Sequence, residues 1–107
     1  MNNLIVVFQP HLYSRTKEFQ KEFSEVLSKA DIVILTDIYP AREKKIKGVN
    51  SNLILDKIVG SKSFLVRKDE VAKKISSICS NDDMIIVMGA GDIRNITDDI
   101  YLSLIHI

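Results

Sequence analysis

The sequence has no tryptophan and a single cysteine, Cys79, so no internal disulfide can brace the fold. One cysteine with two distant histidines, His11 and His106, does not make a metal site, and none is expected. Neither charge sign dominates: fifteen Lys and Arg oppose fourteen Asp and Glu, for a formal charge of +1. That balance gives no general pull toward nucleic acid or anionic membrane. No apolar run approaches the ~20 residues a membrane helix needs, and the N-terminus lacks the charged-then-apolar order of a signal peptide. There is no G-x-x-x-x-G-K-[ST] phosphate loop to mark an autonomous ATP site. No nucleophile sits in a glycine-flanked elbow, and the first strand ends on Gln9 and Pro10 rather than the paired acids of a phosphorylation domain. These absences leave a small, cytoplasmic globular domain with no membrane partner. At 107 residues it is long enough for one domain that buries roughly two-thirds of the surface its unfolded chain exposes.

The apolar residues follow two alternating periods. Leu4–Phe8 is a short continuous run, as expected of a strand buried on both faces. Phe19, Phe23, Val26, Leu27 and Ala30 then recur at helical spacing behind Ser14 or Thr16 as cap. Ile32–Leu35 predicts a second strand, followed by a long irregular stretch over residues 36–50. Ser51 is placed to cap a short helix that Gly60 closes. Phe64–Val66 predicts a third strand, and Asp69 a cap for a helix with Val71, Ala72, Ile75, Ile78 and Cys79 on one face. Met84–Met88 predicts a fourth strand, Gly89–Gly91 a tight turn, and Ile93–Ile105 a last helix. Strand–helix alternation with strands this apolar implies an α/β, Rossmann-like, three-layer domain over residues 1–107. Its mostly parallel sheet should have about four strands, flanked by helices. Ligands of such folds sit beyond the carboxyl ends of the strands.

Three of those ends carry more polar chemistry than a turn requires. In the first, Gln9–Thr16, His11 and Arg15 are four apart and share a side if the turn is already helical. A cation near a helix start opposes the helix dipole, which suits an arginine that awaits an anion; the plainer reading is a solvated Arg15 and a His11 bonded to backbone. In the second, Asp37–Glu43, Pro40 biases Tyr39 to an extended backbone from which Tyr39 and Arg42 can reach over the strand ends. Lys44, Lys45 and Lys47 fit an ordinary solvated loop. In the third, Gly89, Gly91 and Asp92 can cradle an anion at a helix N-terminus, although Asp92 is equally placed to cap that helix itself. As a dinucleotide fingerprint this turn fails, because Arg94 stands where a third glycine is needed.

The segments FQPHLYSRT (residues 8–16), TDIYPAREKKIKGVNS (36–51) and GAGDI (89–93), in that order on strand ends, resemble the C-terminal domain of the UDP-N-acetylmuramate–L-alanine ligases, in the Mur ligase family. The resemblance implies an enzyme in which ATP, with magnesium, phosphorylates the muramoyl carboxylate and the amine of L-alanine attacks the acyl phosphate. It implies three domains, of which the C-terminal one closes over the site and presents the amino acid. The N-terminal and central domains would be partners within one polypeptide, with UDP-N-acetylmuramate and L-alanine as substrates. Neither the phosphate loop nor the family's histidine–histidine–proline segment occurs in this chain. The expectation is therefore a domain incomplete at its N-terminus, with one bare sheet edge, no catalytic residue and no cofactor of its own, and inactive alone. Its substrate-binding residues would be Arg15 against the L-alanine carboxylate, with His11, Arg42, Ser14 and Tyr39 nearby and the Gly89–Asp92 turn as an anion or closure loop. Many relatives carry arginine where this chain has Leu12, so a second cationic contact is missing there. Alternatives are the same domain of a ligase that recycles murein tripeptide, a free-standing module that binds a small acid or nucleotide, and a pure interaction domain.

Overall fold

The structure, a computed structural model, describes residues 3–89. Four strands, β1 (Leu4–Gln9), β2 (Ile32–Leu35), β3 (Lys62–Leu65) and β4 (Met84–Gly89), form one sheet in the order β3-β2-β1-β4. Every pairing is parallel, as the buried apolar runs require. Ile5 to Phe8 pair with Ile32 to Leu35, and Leu4 to Gln9 pair with Met84 to Gly89. The chain steps outward from β1 to β3 and then returns to the other side of β1, so the strand order reverses between β1 and β4.

Alternation along the strands sorts side chains into two layers. Ile5, Val7, Ile32 and Ile34 pack with Val71 and Ile75 of helix α3 (Val71–Ile78). Val6, Val33 and Leu35 pack on the opposite face with Leu27 of helix α1 (Tyr13–Leu27) and Ile54 of helix α2 (Asn52–Leu55). The sheet therefore has helices on both faces. The start of β1 is anchored by two carboxylates: the Leu4 amide donates to Asp31 Oδ2 at 2.7 Å and the Asn3 amide to Asp83 Oδ1 at 2.9 Å. Those amide bonds, from Ser80 first and then Asn3, hold the Asp83 carboxyl below its ordinary value. Cys79 is a free thiol, pushed up by partial burial.

Several local expectations are corrected. α1 starts at Tyr13, and Leu12 stands at its N-cap without a side-chain bond, so neither Ser14 nor Thr16 caps it. The Thr16 hydroxyl is fully buried and donates back to the Leu12 carbonyl at 2.9 Å. The expected apolar stripe on α1 is not the face that is buried, and the helix kinks at Phe19 (φ −109°, ψ 17°). Val26 is 61% exposed, while Tyr13, Thr16, Ser24 and Leu27, on an adjoining face, point inward. Ser51 does precede α2, but its hydroxyl donates to the Thr36 carbonyl at 2.6 Å, and α2 ends at Leu55, well short of Gly60. Asp69 lies in a 3₁₀ turn (Lys68–Glu70) that leads into α3, and its carboxylate pairs with Arg67 at 2.9 Å instead of capping. Among the described residues β4 is an edge strand, with Met84, Ile86 and Met88 exposed. The expected helix Ile93–Ile105, with Gly91 and Asp92 before it, lies outside the described residues.

Candidate functional site

Beyond their carboxyl ends, β1 and β2 stay together. An isolated parallel bridge links His11 to Tyr39, with the Leu12 amide donating to the Tyr39 carbonyl at 2.9 Å and the Tyr39 amide to the Pro10 carbonyl at 2.8 Å. The His11 and Tyr39 rings stack, centroids 5.9 Å apart and 25° from parallel. The first two polar segments of the sequence are thus one surface, a juxtaposition that no spacing along the chain reveals.

Both segments contain a strained residue. Leu12 has φ 70° and Ala41 φ 52°, values that side chains with a Cβ disfavour. Such residues cost roughly 1–3 kcal/mol each, persist only where neighbours over-determine them, and cluster at functional sites. Here the neighbours are identifiable. The Ser14 amide donates to Glu43 Oε1 at 2.9 Å and the Ser14 hydroxyl to Glu43 Oε2 at 2.5 Å, tying the start of α1 to the loop after β2. Tyr13, Ile38 and Val49 form a small buried cluster beneath that tie. The Glu43 carboxylate therefore fills the anion position at the α1 N-terminus, from a residue 29 positions away in sequence.

The Ser14 hydroxyl and then the Ser14 amide hold the Glu43 carboxyl below its ordinary value, with smaller help from the Tyr13 amide and His11. Because the folded value is the lower one, this tie contributes above the unfolded value and is lost as pH falls through the depressed one. In an amide-shift titration the Ser14 resonance should move with a midpoint below that of an unpaired glutamate, and Glu43→Gln should flatten that movement. A midpoint no lower than that of an unpaired glutamate would contradict the tie.

Arg15 projects from the first turn of α1 and Arg42 from the loop after β2, and both are exposed. Neither guanidinium makes a hydrogen bond or ion pair among the described residues, where the one ion pair joins Arg67 and Asp69. Gly89 pairs with Gln9 at the end of β4. Two clefts open at this end of the sheet. One of ≈ 300 Å³ is lined by Gln9, Thr36, Asp37, Ile38, Tyr39, Pro40 and Lys68. The other, ≈ 440 Å³, lies between Tyr13, Asp37, Ile38 and residues 45–51. Tyr39 lines the first cleft, whereas His11, Ser14, Arg15 and Arg42 line neither. Sequence reasoning missed Gln9, Asp37 and Lys68 as lining residues. The available signal was Gln9 itself, a polar residue closing an apolar run on its inward-facing alternation.

No three His, Cys, Asp or Glu side chains converge as a metal site among the described residues, and no helix among them is long and apolar enough to cross a membrane. The arrangement offers cations and an imidazole beside a small cleft, which suits a small carboxylate-bearing ligand.

No family model matches the chain. Comparison with individual proteins is more informative. The chain is 46% identical over 92 residues to the UDP-N-acetylmuramate–L-alanine ligase of Paenarthrobacter aurescens, a match covering 86% of this chain and 20% of that protein. It is 42% identical over 102 residues to the ligase of the same name from Agathobacter rectalis, covering 92% and 22%. Against the Phocaeicola vulgatus ligase the figures are 47% over 93 residues, 86% and 20%. The chain spans about a fifth of the length of these relatives. Nearly its whole length takes part in every one of these matches, and on that ground the chain belongs to the UDP-N-acetylmuramate–L-alanine ligase family.

Proposed function

We propose that residues 1–107 are the C-terminal, amino-acid-binding domain of a cytoplasmic, ATP-dependent ligase that joins L-alanine to UDP-N-acetylmuramate in peptidoglycan biosynthesis. The observation that carries this reading is the tying of FQPHLYSRT to DIYPARE at the carboxyl ends of two central strands, where Arg15 and Arg42 have no anionic partner among the described residues. A guanidinium takes a carboxylate with two parallel hydrogen bonds, so Arg15 is the residue assigned to the L-alanine carboxylate, with His11 and Arg42 beside it. Ser14 serves through Glu43, setting the angle at which α1 presents Arg15. The domain's task is to hold the amino acid with its amine free to meet an activated carboxyl carbon supplied by the rest of the protein, and to keep water away while it does so. ATP and magnesium do not fit the described residues, which offer neither a phosphate loop nor a converging donor set, so their binding is assigned to the remaining four-fifths of the ligase.

The test is phosphate release from ATP by the whole ligase that carries this segment, supplied with UDP-N-acetylmuramate. Release should depend on L-alanine, and the 107-residue chain alone should release none. Release driven by the murein tripeptide and not by L-alanine would transfer the domain to the recycling ligase. Release by the isolated chain would refute the division of labour.

A further inference from the structure

The Glu43 carboxylate has an arginine beside it at either end of its tie and pairs with neither. Glu43 follows Arg42 in the chain, and the residue it binds, Ser14, precedes Arg15. Among the described residues, however, the one ion pair joins Arg67 and Asp69. Both Glu43 oxygens are taken by Ser14 instead, Oε1 by the amide at 2.9 Å and Oε2 by the hydroxyl at 2.5 Å. The two guanidiniums are therefore left for an anion from outside, although the chain supplies one of its own next to them.

The same tie fixes the backbone from which both arginines project. Arg15 follows Ser14 in the first turn of α1, just beyond Leu12 with its φ of 70°. Arg42 sits in a tight turn that the Glu43 amide closes on the Pro40 carbonyl at 2.8 Å, beside Ala41 with its φ of 52°. Each arginine thus hangs on a bend that side chains with a Cβ disfavour and that persists only where something braces it. Glu43 braces both: its backbone closes one bend, and its side chain holds the helix start beyond the other. We infer that Glu43 is a positioning residue that makes Arg15 and Arg42, which come from different strand ends, one two-armed site for a single carboxylate. This rests on the amino-acid reading above and goes past it, because a residue that touches no substrate then sets the affinity for L-alanine against the sign of its own charge. By Coulomb's law alone, an anion beside two cations weakens their hold on a carboxylate. A brace that keeps them aimed strengthens that hold, since a small misplacement of a binding group forfeits much of what it contributes.

The opposed signs make the test. In the whole ligase that carries this segment, read by L-alanine-dependent phosphate release, Glu43→Ala should raise the KM for L-alanine about tenfold or more and leave the KM for ATP unchanged. Glu43→Gln should recover most of that loss, because its Oε1 still accepts from the Ser14 amide and its Nε2 can donate to the Ser14 Oγ. Ser14→Ala, which removes only the hydroxyl bond, should raise the same KM by a smaller factor, and it decides together with Glu43→Gln should Glu43→Ala fail to fold. Glu43→Ala added to Arg15→Ala should cost less than it does in the wild type, since the brace then has one arm fewer to aim. A KM for L-alanine that stays or falls in Glu43→Ala reduces the carboxylate to a repelling charge and overturns the proposal. So does Glu43→Gln no better than Glu43→Ala, full additivity with Arg15→Ala, or an equal rise in both KM values with a lower melting temperature. Arg15→Ala without effect on L-alanine removes the amino-acid reading and the positioning role with it. Selective loss in Arg15→Ala beside a silent Glu43→Ala removes the positioning role alone.

Discussion

Replacing Arg15 by alanine in the intact ligase is expected to lower kcat/KM for L-alanine on the order of 10²-fold or more, while the KM for ATP stays nearly unchanged. A carboxylate accepts two charge-assisted hydrogen bonds from a guanidinium, each worth roughly 1.5–3 kcal/mol once the site is closed from water. Arg15→Lys should recover only part of the loss, because an ammonium cannot grip both oxygens in one plane. Arg15 is exposed and makes no hydrogen bond or ion pair among the described residues, so alanine there should move stability by no more than about 0.5 kcal/mol. Unchanged melting with selective loss for L-alanine would support the assignment. Equal loss for ATP and L-alanine, or a lowered melting temperature, would sink it.

The second large effect is on folding. Ile34 is fully buried in β2, a central strand, where it pairs with Val7 on one side and Phe64 on the other. Ile34→Ala should cost about 2–5 kcal/mol, from lost apolar burial plus the cavity that rigid parallel neighbours cannot close. Against a total of about 5–15 kcal/mol for a domain, that is a large share, read as a lower urea midpoint at unchanged slope. Val26→Ala on α1 is the control: Val26 is 61% exposed, despite its place in the apolar periodicity, and should cost no more than about 0.5 kcal/mol. Comparable losses at the two positions would mean that the layer assignment is wrong.

The contrast between those residues shows where sequence reasoning holds. Runs such as Leu4–Phe8 and Ile32–Leu35 predict central parallel strands because a segment apolar on both faces has few other ways to leave water. All four strands lie within two residues of their predicted bounds. The helix caps went otherwise. Ser14, Thr16, Ser51 and Asp69 were all suitable, and each spends its side chain elsewhere, on Glu43, the Leu12 carbonyl, the Thr36 carbonyl and Arg67 respectively. A cap contributes about 1 kcal/mol from local geometry alone, so any well-placed partner brought by the fold can outbid it. Val26 was misplaced for a related reason: the fold buries the face of α1 that carries Tyr13, Thr16, Ser24 and Leu27, beside and not along the apolar stripe.

The sequence by itself determined the layered α/β class, the strand positions, the family, and the residue types available at the strand ends, because composition and apolar period are carried residue by residue. Only the tertiary structure decided which strand ends meet. Parallel pairing of β1 with β2 brings His11 onto Tyr39 and Glu43 onto Ser14, and return of the chain to β4 sets Gln9 beside Gly89. These are contacts between residues roughly thirty to eighty positions apart, fixed by strand order and register, and no local pattern encodes either. The orphaned oxygen of Gln9 is the clearest case: glutamine at a strand end is unremarkable in sequence, and its oxygen loses its partners only when the layers close around it.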